Sequence, residues 1–248
     1  MNPHYISLVA GYSLVVALWF TLNHFFPTLW RNQDKVSFNR PHLEFVYAII
    51  AVIAIIGIGQ LYSRDLLIPA DGNVFLDAIN QLIIFSPTLV LILLRKQSVE
   101  TLWLPKSKVA LRILVGFLLA LCSVTVYWLT RSEASGLGKI LSNIYHYQNI
   151  SYLVQVFMED ITIALIFVRL SAWIGTKWSI VLVAVLFSAG HIPAFLTNGA
   201  SLIDLSSLIL DTFLGVLVLT AVAKSRDVWW FFMVHFAMDM TQFYGSPL

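Results

Sequence analysis

Eight stretches of about 20 mostly apolar residues punctuate the chain, over roughly 5–26, 43–62, 74–94, 109–130, 150–172, 178–196, 204–223 and 228–244. No other feature limits the possible folds as much. A bilayer's hydrocarbon core is about 30 Å thick, and a helix of about 20 apolar residues crosses it. In lipid every backbone N–H and C=O needs a partner within the protein, so spanning segments are helices or strands of a closed barrel. A barrel would alternate polar and apolar residues, and no such alternation is present. The expectation is an all-α polytopic membrane protein, about eight transmembrane helices in one bundle, forming a single integral-membrane domain over 1–248. Three segments carry a blemish: Pro87 interrupts the third, two acids sit in the fifth, and the eighth is short. The longest connection, about 131–149, holds Gly136 and Gly138 and is expected outside the membrane with a short interfacial helix.

Composition agrees. Of 248 residues 59% are hydrophobic and 11% charged, against about 45–50% and about 25% in soluble domains. The mean hydropathy of +0.83 excludes a soluble globular protein. Eight Trp residues suit the two membrane interfaces. A single cysteine, Cys122, excludes a disulfide framework or a multi-cysteine metal site. The net charge of +2 gives no footing for nucleic acid. Basic residues sort by side. Those after helices one, three, five and seven, such as Arg40, Arg95, Lys177 and Arg226, share one face, and only Arg64, Arg131 and Lys139 fall on the other. The basic face is expected in the cytoplasm and both termini outside it. Residues 1–26 lack Lys and Arg ahead of the apolar stretch and lack a small-residue cleavage site, so they read as a retained helix.

Ionisable side chains deep in such helices cost roughly 2.5–3.5 kcal/mol each on insertion scales, so each is a functional candidate. Glu159 and Asp160 are adjacent in the fifth helix, about 100° apart around it, so one is expected to work and the other to support it. His191 lies in the sixth, four residues after Phe187 and just before Pro193. His235 and Asp239 share a face of the eighth at i and i+4. Counted at 1.5 Å per residue, these side chains fall near the middle third of the membrane. Asp211 in the seventh helix reads as an interhelical hydrogen-bonding residue, and Asp204 as a group near the interface.

A carboxylate and two imidazoles in a low-dielectric cavity suit water activation. The carboxylate acts as base, and the histidines hold the water or donate to a developing oxyanion. Glu159, His191 and His235 are equally a candidate zinc ligand set, although the HExxH spacing is absent. Metal-bound and carboxylate-activated water both stay open. No serine nucleophile elbow is present, and Cys122 has no nearby histidine in sequence. A proton relay or transporter would call for a repeat pairing the two halves of the chain, and the first four helices show no acids or histidines that match those of the last four.

Glu159-Asp160, Phe187-x-x-x-His191 and His235-x-x-x-Asp239, in this order within apolar helices, resemble the CPBP family of CAAX prenyl endopeptidases and bacteriocin-processing or immunity proteins. The resemblance covers roughly 150–244. It implies an intramembrane endopeptidase that hydrolyses a peptide bond of a membrane-associated, in some members prenylated, protein or peptide. In that reading Glu159 activates water with Asp160 in support, His191 positions the water, and His235 with Asp239 stabilises the transition state. It leaves the metal open. The implied setting is the plasma membrane of a prokaryote, with lipid and a membrane-associated substrate as partners. Two positions depart from the family's Glu-Glu-x-x-x-Arg motif. The second acid is Asp160, and the Arg position is Ala164. Arg169, nine residues past Asp160, points to the opposite helix face and is expected to anchor the inner end. Without the motif Arg the acids must find other donors, and a non-proteolytic immunity or membrane-partner protein using the same polar cavity is the alternative.

Overall fold

A computed structural model describes residues 3–30, 36–131, 136–190, 192 and 202–244. Among them it contains nine α-helices and no strand: α1 (Pro3–Phe25), α2 (Pro41–Tyr62), α3 (Val74–Leu94), α4 (Val109–Arg131), α5 (Leu137–Ile144), α6 (Ile150–Ile174), α7 (Thr176–Gly190), α8 (Leu202–Ser225) and α9 (Val228–Tyr244). The protein is an all-α polytopic membrane protein. Eight long helices stand where the apolar stretches predict them, and α5 is the short helix expected in the connection after α4.

Local chemistry sets several boundaries. Pro41 opens α2 at its first position, where a missing N–H costs nothing. Asn73 caps α3, its side chain accepting from the N–H groups of Phe75 and Leu76. Pro87 does not break α3. Its absent N–H would have bonded Ile83 O, and the Ser86 hydroxyl donates to that carbonyl instead at 2.7 Å. Gly175, at φ +85°, ends α6 and lets α7 begin at the next residue. Asn149 closes α5, its amide donating to the carbonyls of Asn143 and Ile144.

Five helices are long and apolar enough to cross a membrane on those grounds alone: α1, α2, α3, α4 and α8. The outer ones turn apolar side chains outward, Ile50, Ile53 and Ile56 from α2 and Leu93, Leu114 and Phe213 from α3, α4 and α8. Water would penalise that surface and lipid does not. The other three long helices differ. α6 carries Glu159, Asp160 and Arg169, while α7 and α9 are shorter.

The packing explains the difference. α1 packs on α4 and α8, α8 on α7, α7 on α6, α6 on α9, and α9 on α4. These six close a ring, and α2 and α3 pack together against the outer side of α6. Two close approaches fix the ring. A Cβ at Gly116 of α4 would lie 2.3 Å from Trp230 O, so α4 and α9 touch backbone to backbone. A Cβ at Gly215 of α8 would lie 3.2 Å from the Ala184 Cβ of α7. Small residues permit such approaches in membranes.

Two polar clusters brace the basic end. Arg112 donates to Asp227 Oδ2 at 2.6 Å, to Leu29 O at 2.6 Å and to Ser107 O at 2.8 Å. Asp227 also accepts from the Trp30 indole at 3.1 Å and from the Trp229 N–H at 3.0 Å. In the second cluster Arg95 and Gln97 donate to Glu44, and Arg169 donates to the Gln97 side-chain oxygen. Arg169 is therefore fully buried and ties α6 to the chain leaving α3, rather than reaching the interface as a simple anchor.

Candidate active site

The ring encloses a cavity of about 380 Å³ lined from α1, α6, α7, α8 and α9. Its wall is polar at one end, where Glu159, Asp160, Asp211, His235 and Asp239 gather, and apolar toward the basic end of the bundle. Trp103 lines the apolar end. It sits in the left-handed region at φ 55°, which an L-residue occupies only when its surroundings hold it there. Its carbonyl accepts the Val228 N–H at 2.9 Å, and its ring packs on Phe167 with centroids 4.7 Å apart.

The polar end is built from two helices. α6 places Glu159 and Asp160 on neighbouring faces that both reach the cavity. Glu159 Oε1 accepts from the Gln155 amide, one turn earlier, at 2.9 Å. This leaves its second oxygen to the cavity. Asp160, with its side chain 1% exposed, meets α9: its Oδ1 lies 2.9 Å from His235 Nδ1. Asp160 Oδ2 is buried without a hydrogen-bond partner among the described residues. On the far side of the ring, His235 Nε2 stands 3.6 Å from Asp239 Oδ2, whose side chain is 32% exposed. Phe231 stacks on the imidazole with centroids 5.5 Å apart, and Phe187 meets it edge-on at 6.3 Å. The ring is thus held in plane by Asp160 and in tilt by two aromatic rings. Glu159 lies within electrostatic range of His235, Asp160 and Asp239.

Four of the five sequence-predicted residues, Glu159, Asp160, His235 and Asp239, therefore line one cavity. His191 lies outside the described residues. Helical spacing places Asp239 one turn from His235, and the shorter contact to the ring comes from Asp160 across the helix interface. Asp211, expected only as a packing residue, lines the same cavity. Ala164, at the position where an Arg was expected, is fully buried. The donors that the acids need come instead from Gln155 and His235.

The zinc candidates Glu159 and His235 both line the cavity, and the third, His191, lies outside the described residues. Among the described residues no three His, Cys, Asp or Glu side chains converge as metal ligands do. In the described part of the site His235 Nδ1 lies on Asp160 and Nε2 faces Asp239.

The segment from Asn149 to Thr241 matches the family model of type II CAAX prenyl endopeptidases, Rce1-like. This Rce1-like match covers residues 149–241 and less than half of the chain. It begins one residue before α6 and ends within α9, so it contains Glu159, Asp160, Asp211, His235 and Asp239. It excludes α1 to α5. No curated protein and no solved structure matches the chain. At the level of the family, the Rce1-like match supports a CAAX-type intramembrane protease.

Proposed function

We propose that this chain is an intramembrane endopeptidase that hydrolyses a peptide bond of a membrane-associated protein or peptide, prenylated substrates included, with water activated by Glu159. The observation that carries the reading is the convergence of Glu159 and the Asp160–His235–Asp239 triplet on one cavity inside the Rce1-like segment. Glu159 accepts the water's proton as the oxygen attacks the carbonyl carbon. His235, held at Nδ1 by Asp160, turns Nε2–H toward the oxygen on which negative charge develops. At 3.6 Å the Asp239 contact is longer than a hydrogen bond, so this N–H is available to a substrate. Asp160 Oδ2, buried and without a partner among the described residues, can accept from a substrate N–H or the water. His191 takes the water-positioning role that the motif resemblance implies. None of these steps requires a metal.

We also infer one domain over the whole chain, with the basic end of the bundle in the cytoplasm of a prokaryote and both termini on the other side. The apolar, Trp103-capped end of the cavity then faces the cytoplasm, and the carboxylate end lies nearer the opposite face.

The test is cleavage of prenylated and plain membrane-adjacent peptides by purified protein in detergent. Wild type and Glu159→Gln are compared with and without a strong zinc chelator. The expected result is hydrolysis by wild type in both conditions, with a loss of at least about 10³-fold in Glu159→Gln. Loss on chelation of wild type overturns the metal-free step. An active Glu159→Gln variant overturns Glu159 as base. No hydrolysis by wild type, with biological function surviving substitution of Glu159 and His235 together, favours the immunity or membrane-partner alternative.

A further inference from the structure

One wall of the cavity lies far outside the Rce1-like segment. Tyr12 of α1 lines the polar end and stands within electrostatic range of Asp160 and Asp239. Its place is imposed by its neighbours. A Cβ on Gly11 would fall 2.8 Å from Met238 Cε of α9 and 3.2 Å from Ser123 O of α4, so α1 docks there at a separation that suits glycine. Two turns further on, buried Trp19 stacks on Trp230 of α9 with centroids 5.8 Å apart and planes at 16°. Trp19 also packs edge-on against Trp30. Between these two anchor points the Tyr12 ring has little freedom to leave the cavity wall.

The charge at this end makes the phenol useful. Apart from Tyr12 and His235, the polar side chains that the described residues bring to this end are carboxylates: Glu159, Asp160, Asp211 and Asp239. A tetrahedral intermediate adds another negative charge in the same low-dielectric space. An ionised carboxylate accepts hydrogen bonds and cannot donate, so Asp239 gives an oxyanion nothing. As an imidazolium, His235 donates Nδ1–H to Asp160 and has Nε2–H left to offer. Acyl-transfer sites hold the oxyanion with preorganised donors, commonly two.

We propose that Tyr12 is a catalytic residue, its phenol O–H donating the second hydrogen bond to the carbonyl oxygen of the scissile bond as it becomes an oxyanion. This rests on the endopeptidase reading. Water oxygen bonds to the carbonyl carbon, its proton passes to Glu159, and the C=O π pair moves onto the oxygen facing Tyr12 and His235. On collapse that pair re-forms the C=O bond and the C–N bond breaks. The proton held by Glu159 goes to the leaving nitrogen, giving a carboxylic acid and an amine. The phenol lends its hydrogen bond throughout and keeps its proton.

Tyr12→Phe removes the hydroxyl and keeps the ring. The control is Tyr145→Phe, which deletes another buried phenol hydroxyl outside the cavity. Both are compared with wild type and Glu159→Gln in hydrolysis of a farnesylated peptide and of its unprenylated form. Binding of a phosphinate version of the same peptide, a tetrahedral anion, is measured alongside. Tyr12→Phe is expected to lower kcat about 10²–10³-fold. KM stays within about threefold, because the interaction belongs to the transition state. Phosphinate affinity falls with kcat while affinity for the parent peptide holds, and Tyr145→Phe behaves as wild type. A structural role would instead lower the melting temperature and leave the kcat-to-phosphinate correspondence absent. Full activity in Tyr12→Phe, with Glu159→Gln inactive, overturns the assignment of Tyr12 and leaves the endopeptidase reading standing. Wild type that neither cleaves the peptides nor binds the phosphinate overturns the reading itself, and the role of Tyr12 with it.

Discussion

The Arg112–Asp227 cluster at the basic end and the Glu159–Asp160–His235–Asp239 cluster in the cavity both hide charge at a cost, but they are completed differently. Arg112 and Asp227 are 3% and 0% exposed at the side chain, and each nitrogen of the guanidinium has an acceptor. Both Asp227 oxygens are also engaged. That network ties the chain after α1, the start of α4 and the start of α9 together, with every guanidinium nitrogen and both carboxylate oxygens engaged. Among the described residues the cavity cluster has a buried oxygen on Asp160 without a partner, a His235–Asp239 contact longer than a hydrogen bond, and open volume beside it. A saturated ionic network holds a fold together; an unsaturated one beside a cavity still has bonding capacity for a substrate. Desolvation argues against keeping unmatched charge for stability alone.

The contrast can be broken by substitution, and the largest effect is expected in the cavity. Glu159→Gln should remove hydrolysis while the melting temperature stays within a few degrees of wild type, since only one hydrogen bond to Gln155 changes. A variant that lost both fold and activity would make Glu159 structural. Asp227→Ala should do the reverse. Stranding Arg112 inside the bundle should cost about 3–5 kcal/mol, visible as a large drop in thermal stability in detergent, with kcat of the protein that remains folded unchanged. Asp160→Asn sits between the two. It keeps the shape and weakens the hold on His235 Nδ1, so kcat should fall on the order of 10²-fold with a small stability change. A change in KM alone would move Asp160 out of the His235 support role. The smallest effect belongs to Thr88→Val. It deletes the 2.8 Å hydroxyl pair between Thr88 of α3 and Thr162 of α6, worth about 0.6 kcal/mol in a membrane, and leaves activity intact because α3 lies outside the ring.

The same contrast explains what the amino-acid order made legible. Apolar runs announce spanning helices because lipid leaves no other solution, and a helix stands at each of the eight stretches, the end of the sixth, past Gly190, lying almost wholly outside the described residues. Glu159, Asp160, His235 and Asp239 were legible because charge inside an apolar helix is conspicuous. Arg112, Asp227 and Glu44 were not legible as buried groups. They lie at helix ends, where a charge reads as an ordinary interfacial one, and only the tertiary fold covers them. Tyr12 and Trp103 gave no signal either, since an aromatic residue in an apolar helix or at its end carries no insertion penalty. The Asp160–His235 pair joins residues 75 positions apart, which helical spacing cannot predict. Pro87 shows a sequence warning cancelled by its neighbour: Ser86 supplies the donor that the ring removes.

The backbone contact of Gly116 with Trp230 bears on the order in which the molecule assembles. A ribosome delivers α1 through α8 before α9, and the ring lacks a wall until α9 arrives. The last described helix brings His235, Asp239 and half of every contact that α4 makes across the seam. Its entry is also where the Arg112–Asp227 network forms. Glu159, Asp160 and Asp211 precede α9 in the chain, so the packing that closes the ring also completes the polar end of the cavity.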